Sequence, residues 1–181
     1  TRTVTIREVA CSETVVRLQR GRPEAAKAAA RLLAKSPVRD RLLPYLGTHS
    51  DDRFTTLDQA VDKAGLSGLV VSSTLNVQEI AGVPVGRKHR PLAAIYIPGQ
   101  GRAWVIEPGC VSGGRQFPAP KAALDHLLPT GCLGIETGDV GVGFAYALGL
   151  DAREWRAADR LIRQWRDEST LPDLAYYIIA S

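Results

Sequence analysis

The stretch "AGLSGLVVSSTLNVQEIAGV", residues 64–83, changes periodicity twice, and its reading decides the fold class. Leading into it, and overlapping its first two residues, "TLDQAVDKAG" (56–65) sets Leu57, Ala60, Val61 and Ala64 on one face at helical spacing, with Thr56 as the expected N-cap and Gly65 as the stop. "GLVVSS" (68–73) is a short apolar run without the polar alternation of a half-exposed strand, so a buried strand is expected. "TLNVQEIAG" (74–82) then reads as a turn and a short helix. Helix, buried strand and helix in direct succession point to an α/β domain.

The same alternation continues downstream. "LAAIYIPGQGRAWVIEPG" (92–109) reads as two apolar strands joined by the tight turn Pro98-Gly99-Gln100-Gly101, a hairpin. "APKAALDHLLPTG" (119–131) is a helix with Leu124, Leu127 and Leu128 facing inward. "CLGIE" (132–136) is a strand, and "TGDVGVGFAYALGL" (137–150) a helix capped by Asp139 or Thr137. "REWRAA" (153–158) is a short edge strand and "DRLIRQWRDE" (159–168) a further helix. The expected fold is α/β, with a mixed, mostly parallel sheet containing one antiparallel hairpin and helices on both faces.

Upstream the texture differs. "TVTIREV" (3–9) fits a short strand or the start of a helix. "RPEAAKAAARLLAKSP" (22–37) is a strong helix, from its proline in the first turn, its alanines and its Ser-Pro end. "VRDRLLPYLG" (38–47) is a second, and "GTHSDDR" (47–53) a polar linker. Residues 1–50 hold ten Lys or Arg against four Asp or Glu, and residues 51–181 hold thirteen against fifteen. The first part is therefore about +6 and the rest about −2 within a total of +4. With no run of five basic residues and no interleaved aromatics, the basic part reads as a solvated helical face, and nucleic acid is not the expected partner. The division is 1–50 as a basic helical extension, 51–170 as the α/β domain and 171–181 as a further helix start.

At 181 residues and 45% apolar content the chain is long enough to bury a core. No apolar run reaches the roughly 20 residues that span a bilayer, and no secretory signal pattern opens the chain, so a cytoplasmic protein is predicted. Cys11, Cys110 and Cys132 are odd in number and widely spaced, which suggests neither a disulfide framework nor a zinc knuckle. The chain holds no methionine, and both ends are expected to be trimmed.

Chemistry-bearing residues are sparse. The glycines after "LGIE" miss the dinucleotide-binding fingerprint, because Tyr146 stands where the third glycine belongs. His49, His89 and His126 stand apart from each other and from any metal-ligand spacing. Ser72-Ser73 ends a buried strand without a nucleophile elbow around it, and Glu107 and Glu136 end strands without forming a mechanism. "VGRKHRP" (85–91) is the exception: Arg87, His89 and Arg90 share a loop between a helix and a strand, where guanidinium groups can meet an anionic ligand. On residue chemistry alone this is a binding or helper domain.

Several of these stretches, in this order, resemble the N-terminal domain of the creatinase and prolidase family of metal-dependent hydrolases, whose catalytic domain has the pita-bread fold. "AGLSGLVVSSTLNVQEIAGV" matches the segment written G-L-D-G-L-L-V followed by N-x-x-Y-L-x-G, with Asn76, Ile80 and Gly82 in place. "LGIE", Gly134 to Glu136, resembles I-G-I-E, and "ADRLIRQWRDESTLPDLAYYIIAS" (158–181) resembles the junction helix, R-x-x-K and E-I-x-x-x-R-x-A, with Arg166 as the arginine. Gln78-Glu79 replace the usual aromatic segment, Ser169-Thr170 stand near the usual lysine, and Asp173 replaces the glutamate.

The resemblance implies a non-catalytic N-terminal domain of an Xaa-Pro dipeptidase, aminopeptidase or creatinase-like hydrolase. Such a domain helps form a homodimer and lends a loop to the rim of the substrate site, here Val83 to Arg90, with Arg87, His89 and Arg90 as the contacts. The implied substrate is a small peptide or amidino compound. Residues 171–181 then open the catalytic domain, and Arg166 and Asp173 mark the junction. No cofactor is expected in these residues. A divalent metal (Mn, Co or Zn) belongs to the catalytic domain if the parent is a peptidase. The alternative is a free-standing protein-interaction module of the same fold, as in the large subunit of the FACT histone chaperone.

Overall fold

A computed structural model of the protein describes residues 3–10, 52–81 and 91–167. In chain order these form β1 (Val4–Ala10), α1 (Asp52–Lys63), β2 (Gly68–Val71), α2 (Thr74–Ala81), β3 (Ala93–Tyr96), β4 (Arg102–Pro108), β5 (Arg115–Phe117), α3 (Pro120–Leu127), β6 (Leu133–Ile135), α4 (Val142–Ala147), a 3-10 turn (Leu150–Ala152) and β7 (Trp155–Ala157). A last helix, α5, is described over 159–167. The strands form one seven-stranded sheet in the order β5-β1-β4-β3-β2-β6-β7.

The unbroken apolar run of β2 has a direct cause. Leu69 and Val71 face a core layer with α1, α2 and α5, while Val70 faces a second layer with α3 and α4, and all three side chains are fully buried. Strand β3 divides likewise, Ala94 and Tyr96 to the first layer and Ala93 and Ile95 to the second. Helices therefore cover both faces, as the sequence suggests. The Pro98–Gly101 turn joins β3 to β4 in an antiparallel hairpin with Tyr96 opposite Ala103.

The sheet is mixed, but the expectation that it is mostly parallel is corrected. Among the described strands only β2–β6 and β6–β7 are parallel, whereas β1–β4, β1–β5, β2–β3 and β3–β4 are antiparallel. Two of the four antiparallel pairings come from β1, which inserts between β4 and β5 with Val4 opposite Pro108 and Ala10 opposite Arg102. Its Val4 and Ile6 are buried, and Thr5 Oγ1 donates to Gly109 O at 2.6 Å. Residues 4–10 thus belong to the sheet, the strand alternative for "TVTIREV". The helices expected over 22–47 lie outside the described residues.

Two caps also differ. Helix α1 begins at Asp52, ahead of Thr56, inside the expected linker. Helix α4 is entered from Gly141, which has no side chain to cap it, and the Thr137 hydroxyl donates to Asp159 instead. Gly65 does end α1's segment, at φ 66°. Gly134 has a different role: a Cβ there would lie 2.6 Å from Leu69 Cδ2 and 2.8 Å from Leu66 Cδ1, so a larger residue would force these core leucines to shift. Among the described residues, no helix is long and apolar enough to cross a membrane.

Candidate functional site

Strand β2 leads to α2 on one face of the sheet, and the neighbouring parallel strand β6 leads towards α4 on the other. In α/β sheets the crevice at the carboxyl ends of two such strands is the usual place for a ligand. Here the protein's own carboxylates meet the backbone amides at this crevice. Glu136, at the end of β6, accepts from Ser72 N at 2.8 Å and Ser73 N at 2.9 Å through Oε2, and from Asn76 Nδ2 at 2.5 Å through Oε1. Ser73 lies just ahead of α2 and its Oγ accepts from Asn76 N at 3.2 Å, so the Glu136 carboxylate stands where a helix N-terminus favours negative charge. Glu136 and Asn76 are both buried, at 6% and 7% exposure.

Arg166 completes the chain: its Nη1 donates to Asn76 Oδ1 at 3.2 Å. This fixes the Asn76 amide in one orientation, with oxygen towards the guanidinium and nitrogen towards the carboxylate. Glu136, Asn76 and Arg166 thereby tie the end of β6, the first turn of α2 and the far end of α5 into one charge-assisted network.

The near end of α5 is tied by a second carboxylate. Asp159 accepts from Thr137 N at 3.0 Å, Thr137 Oγ1 at 2.6 Å and Gly138 N at 2.9 Å. Partial burial alone would raise the Asp159 carboxyl, but the bonds from the Thr137 hydroxyl and the Gly138 and Thr137 amides, with its own amide, outweigh it and hold its pKa below the ordinary value. Folding therefore favours the ionised form. The stabilisation is full above the unfolded carboxylate value, about 3.9, and is lost as pH falls through the lower native value. Unfolding free energy measured from pH 6 to pH 2 should fall less steeply below about pH 4 in Asp159→Asn than in the wild type; identical slopes would show that Asp159 is not the group responsible.

Other candidates have local structural roles. His126 lies on α3, where its Nε2 accepts from Arg115 Nη1 at 3.1 Å and its ring stands 5.3 Å from that of Phe117. Burial first, and then the Glu154 carboxylate, push the Cys132 thiol up against the opposing pull of Arg156, which keeps it protonated and poorly nucleophilic. Glu107 pairs with Arg7 at 3.3 Å across β1 and β4, far along the sheet from Glu136. Among the described residues, no group of three or more His, Cys, Asp or Glu side chains could hold a metal ion.

Of the residues singled out from sequence, the structure places Arg166 on Asn76, which in turn bonds Glu136. Arg87, His89, Arg90 and Asp173 lie outside the described residues. Asp159 was not legible as a site residue, although an Asp opening a helical stretch is a capping signal. Comparison of the chain with protein-family models, with curated proteins and with solved structures finds no match.

Proposed function

We propose that this chain contains the non-catalytic N-terminal domain of a metal-dependent hydrolase of the Xaa-Pro peptidase or creatinase type, with the creatinase/prolidase N-terminal fold. One observation carries the reading. Asn76, Glu136 and Arg166 come from three separate segments on which the resemblance rests, and they converge in one hydrogen-bonded network in which Asn76 and Glu136 are buried. A chance likeness of short motifs has no reason to select residues that touch. In this reading the network fixes the direction in which the chain leaves α5 towards the catalytic domain. The metal and the catalytic residues belong to that domain, and the 83–90 loop reaches the rim of the substrate site, in a homodimer of a cytoplasmic enzyme.

The test is hydrolysis of Xaa-Pro dipeptides and of creatine by the full natural chain, with and without a chelator, beside residues 1–181 alone. The full chain is expected to turn over one of these substrates and the 1–181 chain none. Turnover by residues 1–181 alone, or no pita-bread domain in the full natural chain, would sink the proposal, the latter in favour of the free-standing interaction module. In the active full chain, Arg87→Ala with Arg90→Ala should raise KM about tenfold and change kcat by less than about twofold, as expected for groups that bind a substrate carboxylate without entering the chemistry. An unchanged KM would remove these arginines from the rim.

A further inference from the structure

A groove of about 640 Å³ runs between α1, α5 and the edge strand β7, on the opposite side of α5 from the Glu136 network. Its floor is apolar, from Ala60, Ala64, Leu66 and Leu161, and Trp165 closes one wall. Its rim carries three cations, Lys63, Arg156 and Arg160, and no carboxylate lines it among the described residues. That segregation runs against the local background, because residues 51–181 hold more acidic than basic side chains, fifteen against thirteen. Arg156 donates to Ala64 O at 3.5 Å and lies 3.8 Å from Glu154, so it is partly held. Lys63 and Arg160 are exposed and form no ion pair among the described residues.

The edge strand adds a second feature. Strand β7 pairs only with β6 among the described strands. Leu133 N donates to Glu154 O and Ala158 N donates to Ile135 O, so in the alternating pattern of a strand the backbone groups of Trp155 and Ala157 point away from the sheet. The groove is therefore bordered by hydrogen-bonding groups as well as by cations.

We infer that this groove is a docking site for an acidic peptide segment of a partner protein, with at least one apolar side chain seated on the Ala60–Ala64–Leu161 floor and carboxylates meeting Lys63 and Arg160. Charge complementarity selects this occupant: the apolar floor rewards a buried side chain, and the cationic rim repels a basic segment and attracts an acidic one. The inference is independent of the hydrolase reading and stands or falls without it.

The probe is a fluorescein-labelled 12-residue Glu/Leu peptide, followed by anisotropy against the intact chain, with a Lys/Leu peptide of the same pattern and an all-Glu peptide of the same length as comparators. Saturable, salt-sensitive binding of the Glu/Leu peptide is expected, with at least about tenfold weaker binding of both comparators. Lys63→Glu with Arg160→Glu should weaken binding by at least about tenfold while leaving the melting temperature unchanged, since both side chains are exposed. Ala60→Trp, which fills the floor, should weaken it as well. No saturable binding up to millimolar peptide, binding unaffected by the charge reversal, or equal binding of the all-Glu peptide would overturn the inference. Dimerisation of the chain abolished by the same reversal would overturn it too, by giving the groove to a second copy.

Discussion

Glu136→Ala is expected to cost about 3–5 kcal/mol of folding stability and to lower the melting temperature by roughly 10–15 °C, the largest loss for any single polar side chain described. The carboxylate accepts from three donors, Ser72 N, Ser73 N and Asn76 Nδ2, and it does so at 6% exposure. Deleting it leaves three donors short of a partner in a place water does not freely reach, at about 1–3 kcal/mol for each group that stays unpaired. Glu136→Gln separates charge from shape. The new side chain can still accept the two backbone amides through its oxygen, but its NH2 then faces Asn76 Nδ2. If Asn76 turns its amide to accept, its own NH2 is directed at the Arg166 guanidinium, which can only donate. Either way one pairing is lost, and a cost of about 1.5–3 kcal/mol follows. Thermal and urea unfolding measure both variants. A loss below about 1 kcal/mol for Glu136→Ala would mean that the carboxylate is not the hub of this network. A double-mutant cycle between Glu136→Gln and Arg166→Gln should show coupling that disappears in an Asn76→Ala background, because Asn76 is the bridge between them.

What the sequence reveals of this fold follows from which forces are local. The two-sided burial of β2, the β3–β4 hairpin and the inward leucines of α3 are each encoded within about ten residues, and each is found where the pattern puts it. The antiparallel majority among the strand pairings is not encoded that way. It depends on β1, whose two buried teeth, Val4 and Ile6, pair with residues about a hundred positions later. Two apolar side chains in alternation are too weak a pattern to announce a strand paired on both sides within a sheet. Strand β5, three residues with Arg115 and Gln116 exposed, carries still less pattern. The candidate site divides in the same way. Asn76, Glu136 and Arg166 are visible one at a time as members of short motifs. That they touch is a property of the β2–β6 register and of the length of α5, neither of which any single motif contains. Asp159 is masked by its surroundings: in "REWRAADRLIRQWRDE" it is one charge among many, and only its partners at Thr137 and Gly138 distinguish it.

Trp165→Ala should cost about 3–5 kcal/mol and act on α5 more than on the sheet. Its indole is 2% exposed and stands 5.9 Å, centroid to centroid, from Phe54, which in turn stacks on Tyr96 at 6.0 Å. This row of rings runs from α5 through α1 to β3. Truncation removes a large apolar area and one aromatic pair together, and leaves a cavity that the rigid sheet cannot collapse to fill. The loss is expected to concentrate in α5 because Trp165 is the largest buried side chain with which that helix meets the domain, beside Asp159 at its start, Ile162 on its buried face and Arg166 towards its end. With Trp165 gone, Ile162 and the partly buried Leu161 are left as apolar anchors beside the two polar ties, and charge-assisted bonds that open to water lose most of their strength. Amide hydrogen exchange should therefore accelerate across residues 159–167 well before it does in β2 and β3, and Trp165→Phe should recover about half of the lost stability. Equal acceleration across the whole sheet would instead mean that α5 and the sheet unfold as one unit. The exit direction of the chain would then be set by the sheet itself, with no separate step in which α5 detaches.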